Sequence, residues 1–368
     1  MHAVNARADD RPKLLDRRGL VGAVVLLSMA LLCLGSLPWT MSGPEGVPRY
    51  AAGDAADAGY LPPIWVKPAP ESFQKLTASL EAEAISDLAA THGISEPDVR
   101  VALPGDSSVA LITDLRSAHD RPLLGTDILG RSMWARLLAG GGLSIGIGLA
   151  ASLIAVLIGT LYGAIAGYAG GAIDSVMMRI VDVLFGLPYV LLVVLLAVAA
   201  DGLMDRPAIR SWLEDAAIGR SAIEIVTLLI AIGGVSWLTL ARVIRGEVLS
   251  LKTRPYIEAA KASGAGTWWI FTRHLLPALT GPIVVYATLT APQAILQESF
   301  LSFLGIGVRP PLPSWGNLAA EGLGELNNHR SRWWLLLFPT LALGATLLSL
   351  NLVGESLRRA LDPKAVGR

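Results

Sequence analysis

Charge is scarce in this sequence. Asp, Glu, Lys and Arg make up 16% of its 368 residues, against about 25% in an ordinary soluble domain. The 30 basic and 30 acidic residues cancel, so no basic excess points to nucleic acid as a partner. Cysteine is nearly absent. Cys33 stands alone, which excludes an intrachain disulfide. The five histidines, His2, His92, His119, His274 and His329, are scattered, and no pair has metal-ligand spacing. No Ser/His/Asp or Cys/His arrangement stands out either. The chain is therefore expected to hold no metal and to catalyse nothing by itself.

What is abundant is apolar length. Hydrophobic residues reach 53%, and mean hydropathy is +0.54. About 20 apolar residues cross a bilayer. Six uncharged runs approach or exceed that length: 19–38, 137–173, 183–200, 225–241, 274–297 and 333–354. They predict an all-α membrane protein with six transmembrane helices. The first run follows Arg17 and Arg18 and resembles a signal peptide. Its end, Leu37-Pro38-Trp39-Thr40, lacks a small-x-small cleavage site, so it reads as a retained anchor. No run has Asp, Glu, Lys or Arg in its interior. That speaks against proton coupling, which commonly uses an ionisable residue within the membrane. Sodium held by backbone carbonyls would escape this test.

Lys and Arg set the orientation. With the N-terminus inside, short cytoplasmic segments carry 16 of the 30, and 8 of the rest fall in the long 39–136 segment, which weighs little. Both termini are then cytoplasmic. The layout becomes a cytoplasmic tail (1–18), a first span (19–38) and an extracytoplasmic segment (39–136). A five-helix core (137–354) with a cytoplasmic loop at 242–273 follows, then a tail (355–368). Within the outer segment, 41–70 is rich in Pro, Gly and Ala and reads as loop. Residues 72–91 put Phe73, Leu76, Leu80, Ile85 and Leu88 roughly on one helical face. That stripe is too narrow for a core of its own. A small cap on the outer mouth and a poorly ordered insertion both remain open.

Gly159, Gly163 and Gly167 recur every four residues, as do Gly142 and Gly146. Small residues on one face let membrane helices approach closely. Two other glycine patterns are decoys. "GTDILGRS" (125–132) nearly fits a phosphate loop, but it has Arg131 in place of lysine and no preceding strand. "GIGLAA" (146–151) lies inside an apolar run and reads as helix packing. Pro292, inside the fifth run, is expected to kink it, because proline removes a helix bond.

The most polar feature among the spans is "EAAKASGAGTWWIFTRHLLP" (258–277), set between two of them. Pro255 suits the first turn of a helix. Glu258 then meets the positive end of the helix dipole, worth about 0.3–1 kcal/mol. Ala259, Ala260, Lys261 and Ala262 are good helix formers. Gly264 and Gly266 bracket Ala265 and end the helix. A second helix is expected over 267–275, with Trp268 and Trp269 suited to the membrane interface.

This stretch resembles the EAA loop of ABC importer permeases, E-A-A-x-x-x-G-x9-I-x-L-P. Glu258, Ala259, Ala260, Gly264, Leu276 and Pro277 match it, and His274 stands where the pattern has isoleucine. Further blocks resemble the peptide-transporting branch. They are "LGTDILGRSMWARLL" (124–138), "AGYAGGAIDSVMMRIVDVLFGLP" (166–188), "LQESFLSFLGIGVRPPLPSWGNL" (296–318) and "ESLRRALDPK" (355–364). The chain is identified as a C-type member of the dipeptide and oligopeptide permease pair, over about 123–364. The 41–121 insertion departs from that family's shorter loop.

The resemblance implies a type I ABC importer permease in a bacterial or archaeal inner membrane. Its implied partners are a second homologous permease, two ATP-binding cassette ATPases and an extracytoplasmic substrate-binding protein. ATP and Mg would be bound by those ATPases, with no cofactor in this chain. Coupling to the ATPase would fall to Glu258, Ala259, Ala260, Lys261, Gly264, Ala265, Gly266, Leu276 and Pro277. No residue reads as a substrate anchor. The alternative is a secondary transporter or channel not driven by ATP.

Overall fold

The computed structural model describes residues 16–43, 46–53, 59–63, 65–66, 123–207, 220–326 and 332–361, with single positions at 86, 209 and 211. The expected helix at 72–91 lies outside the described residues, apart from position 86. Among the described residues there is no strand; Thr126 and Ser132 form an isolated antiparallel bridge. The helices are α1 (Arg17–Gly35), α2 (Leu37–Met41), α3 (Met133–Ala169), α4 (Gly171–Phe185), α5 (Tyr189–Met204) and α6 (Arg220–Leu251). They continue with α7 (Pro255–Ala262), α8 (Thr267–Ile270), α9 (Leu276–Phe303), α10 (Trp315–Gly324) and α11 (Trp334–Leu361).

Five of these segments are long and apolar enough to cross a membrane: Arg17–Met41, Met133–Ala169, Ser221–Leu251, Thr267–Phe303 and Trp334–Leu361. A sixth span exists only if α4 and α5, bent by 96° at their junction, count as one. The third run was expected to start at 183, yet α5 starts at Tyr189. The reason lies in Gly186-Leu187-Pro188. A residue before proline is pushed out of the helical region, so the chain turns there.

The fourth helix also outruns its uncharged stretch. It continues past Arg242 and Arg245 because both are paired. Arg242 donates to Asp182 at 2.8 Å and lies over the Phe185 ring at 3.9 Å. Arg245 holds Asp174. Helix α9 likewise runs through Pro282 and Pro292 and on past the uncharged run. It carries Glu298, which is fully buried. The uncharged run ends at Gln297, so the helix, unlike the run, includes this carboxyl group.

The chain forms two compact units. One comprises residues 1–28, 146–298 and 345–368; the other comprises 29–145 and 299–344. In the first unit, the glycine stripe does what its spacing suggests. A Cβ at Gly159 would meet Leu240 and the Trp237 carbonyl, one at Gly163 the Ala241 carbonyl, and one at Gly167 Val248 and the Arg245 carbonyl. The stripe is the seam where α3 meets α6. Gly146 does not share such a role, since nothing lies within 4 Å of its Cβ position.

In the second unit, Trp315 is buried with Cys33, Leu138, Ile145 and Ala342. Its backbone N–H donates to the Ser144 hydroxyl at 3.2 Å, and its indole N–H to the Leu137 carbonyl at 3.0 Å. Ser314 and Asn317 form a reciprocal capping box at the start of α10. The loop 125–132 is an ion-pair hub. The Asp127 carboxylate accepts from the backbone N–H groups of Leu129 and Arg131 at 2.9 and 3.0 Å. A phosphate would need such donors, and here the loop's own carboxylate takes two of them. Asp127 also accepts from Arg131 at 2.7 Å and Arg136 at 2.6 Å. Arg136 in turn forks onto Glu321 at 2.6 and 2.9 Å.

The start of the insertion is fastened in the same unit. Tyr60 N–H donates to the Asp127 carbonyl and Thr126 N–H to the Leu61 carbonyl, both at 2.8 Å. The Tyr60 hydroxyl donates to Glu325 at 2.7 Å. Burial, helped by that bond, pushes its pKa up to about 12.

Candidate functional site

The hairpin at 255–277 belongs to the first unit. Arg254, in extended conformation, precedes α7, and Pro255 occupies its first turn. The missing proline N–H is no loss there. Glu258 lies in that same turn and Lys261 in the last turn, both favourable to the helix dipole. The helix stops at Gly264, whose φ is +80°. Gly264 N–H donates to the Lys261 carbonyl and Ala265 N–H to the Ala260 carbonyl, both at 3.0 Å. This left-handed close satisfies the last carbonyls of α7. Gly266 plays a different part from the one expected. Its φ of −68° and ψ of 154° are extended, and it precedes α8 as a cap.

The second half is not a uniform helix over 267–275. Four α-helical residues, Thr267–Ile270, give way to a π-helical turn, Phe271–Leu275. Leu276 N–H donates to the Phe271 carbonyl, five residues back. Pro277 accounts for the widening. It has no N–H to offer, and its ring crowds the preceding turn. The α-helical register resumes at Leu276.

Burial divides the hairpin by face. Ile257, Ile270, Leu275 and Leu279 are at most 1% exposed. They form one cluster with Val156 and Ala164 of α3 and with Leu240, Ile244 and Val248 of α6. Glu258, Ala259, Lys261 and Gly264 are exposed, and Ala260 and Ala265 are half-buried. Lys261 lies 5.4 Å from the Tyr168 ring. Trp268 and Trp269 are exposed, and Trp269 meets His274 edge-on at 5.0 Å. Leu276 and Pro277 are exposed at the start of α9. Sequence reasoning missed Ile257. An apolar residue next to Glu258 carries no signal until the partner helices are placed.

The hairpin is thus an exposed face, in which Glu258 and Lys261 stand among Tyr256, Ala259, Trp268 and Trp269, fixed on an apolar root that is continuous with α3, α6 and α9. Such a shape can receive a push from outside and pass it to the membrane helices.

A family model for the binding-protein-dependent transport system inner membrane component matches residues 159–367. The chain belongs to this family of ABC importer permeases. It is a multi-pass inner-membrane protein and not itself an enzyme, and the family implies ATPase and substrate-binding partners in general. Among its relatives is the oligopeptide transport system permease protein OppC of Escherichia coli (strain K12). The two are 45% identical over 251 residues, 68% of this chain and 74% of OppC. The dipeptide transport system permease protein DppC of Bacillus subtilis (strain 168) is 43% identical over 241 residues, 65% of this chain and 68% of DppC. The glutathione transport system permease protein GsiD of Pectobacterium atrosepticum is 36% identical over 248 residues, 67% and 73% of the two chains.

Proposed function

We propose that this chain is a translocation subunit of an ATP-driven importer of di- or oligopeptides, and that the 255–277 hairpin couples it to ATP. The relatives named for oligopeptide and dipeptide transport support the substrate class. The observation that carries the coupling role is the division of the hairpin into an exposed face and a fully buried root.

In this reading both termini and the hairpin face the cytoplasm. The chain pairs with a second homologous permease, two ATPase subunits and an extracytoplasmic binding protein. The ATPases bind ATP and Mg. Glu258, Ala259, Ala260, Lys261, Gly264, Ala265 and Gly266 meet an ATPase subunit, while Leu276 and Pro277 tie the hairpin to α9. A ligand shifts an equilibrium only through different affinities for its two states. ATP favours the closed ATPase pair. Closure displaces α7, and the Ile257–Leu275–Leu279 root carries α6 and α9 with it as a packed body. The pore opens outward, and hydrolysis releases it.

The test is ATP-dependent peptide uptake by the reconstituted complex. Glu258→Lys and Gly264→Val are expected to abolish uptake while the subunit still inserts. No Cβ clash explains a Gly264 defect within this chain, because nothing lies within 4 Å. A β-branched residue at its φ carries about 1–2 kcal/mol of backbone strain and a new bulge on the docking face. Normal uptake by both variants contradicts the coupling role. Uptake without ATP or any ATPase subunit favours a secondary transporter or channel.

A further inference from the structure

Uncharged polar side chains gather beside the break between α4 and α5 in the first unit. A cavity of about 410 Å³ opens beside the break between α4 and α5, within the size range of small-ligand sites. Its wall is formed by Leu184, Phe185 and Leu187 at the break, by α5, by α6 and by α9. The polar groups on it are Tyr189, Thr239, Gln293 and Gln297. Ser236 stands beside them: its hydroxyl donates to the Ile232 carbonyl at 2.8 Å, and its oxygen lies 3.1 Å from the Tyr189 hydroxyl and 3.5 Å from the Gln297 side-chain oxygen.

Gln293 and Gln297 are four residues apart and share one face of α9. Gln293 is exposed, and its side-chain amide has no hydrogen-bond partner among the described residues. A primary amide turned toward lipid would lose its hydrogen bonds to water without replacement. That cost argues against a lipid-facing position for Gln293. No Asp, Glu, Lys or Arg lines the cavity. The nearest pair in sequence, Asp182 and Arg242, is closed on itself at 2.8 Å.

We infer that this cavity receives the backbone of the transported peptide. This rests on the peptide-importer reading and assigns the surface that would meet the substrate. A primary amide both donates and accepts, as a peptide group does. Gln293 and Gln297 therefore pair with backbone N–H and C=O groups whatever side chains follow. Tyr189 adds a hydroxyl, and no Asp, Glu, Lys or Arg of the lining attracts or repels a charged side chain. The lining then favours neither sign of side-chain charge over the other.

The test uses the reconstituted complex and three labelled tripeptides: Ala-Ala-Ala, Ala-Glu-Ala and Ala-Lys-Ala. The wild-type complex is expected to take up all three. The Gln293→Leu, Gln297→Leu double variant is expected to lose about tenfold in uptake of each, for two hydrogen bonds removed, with all subunits still recovered together. Gln293→Glu is expected to raise the ratio of Ala-Lys-Ala to Ala-Glu-Ala uptake. Unchanged uptake by the double variant, with the wild type active, overturns the inference alone. Loss of the second permease from the purified double variant also overturns it, because the face is then a subunit interface. If the wild-type complex takes up none of the tripeptides, the peptide reading itself falls and the inference with it.

Discussion

Arg245 grips Asp174 through two parallel hydrogen bonds, Nε to Oδ1 at 2.5 Å and Nη2 to Oδ2 at 2.6 Å. Asp174 is in the first turn of α4, and Arg245 is near the end of α6. The fork therefore ties the helix before the 96° break to the helix that precedes the 255–277 hairpin. Lys252, donating to the Gly167 carbonyl at 2.8 Å, adds a second tie from α6 back to α3.

Breaking that fork should loosen the frame that carries the hairpin. Asp174→Asn leaves Arg245 with a neutral partner. Asp174 is buried and Arg245 partly exposed, and for such a charged pair the expected loss is about 1.5–3 kcal/mol, read as a lower thermal midpoint of the purified complex in detergent. The exchange Asp174→Arg with Arg245→Asp should recover part of it. A midpoint unchanged in Asp174→Asn contradicts the structural role.

The seam between α3 and α6 makes a second prediction. Gly163→Val forces a side chain into the Ala241 carbonyl. Overpacking of this kind costs about 1–3 kcal/mol. Gly146→Ala meets nothing within 4 Å and should leave the chain's own stability unchanged. Equal thermal midpoints for the two variants would contradict the packing described here.

The ion-pair hub makes a third. Arg136 is 1% exposed and serves Asp127 and Glu321 together. Arg136→Ala leaves the buried Asp127 carboxylate with Arg131 as its remaining side-chain donor and removes two hydrogen bonds from the partly exposed Glu321. The expected loss is about 3 kcal/mol, visible as poor recovery of folded protein. Arg136→Lys should recover little, because an ammonium cannot reproduce the two-pronged contact with Glu321. Full recovery by lysine would show that charge alone suffices.

Local features were legible in the sequence, and features assembled over distance were not. Pro255, Glu258 and Gly264 announce α7 because helix caps are local rules. The stripe of Gly159, Gly163 and Gly167 announces a close helix contact for the same reason. The α6 boundary was hidden because a charge-bounded run ends at Arg242, while the helix continues on charges whose partners lie 60 and 71 residues away. Glu298 was placed outside its span by the same logic. Arg136 and Glu321, 185 residues apart, form a pair that no spacing rule connects. Gln293 and Gln297 sit inside or next to an apolar run and drew no notice until α5 and α6 put Tyr189 and Thr239 beside them.

The central claim is that the exposed face of α7 is where ATPase closure enters this protein. Ala259 is on that face, and the one native cysteine, Cys33, is 3% exposed. The most direct measurement is therefore a thiol-to-amine cross-link from Ala259→Cys in the complete, transport-active complex. The account expects an adduct with an ATPase subunit, and none from Leu20→Cys on the exposed side of α1. An active complex in which Ala259→Cys yields no ATPase adduct would contradict it.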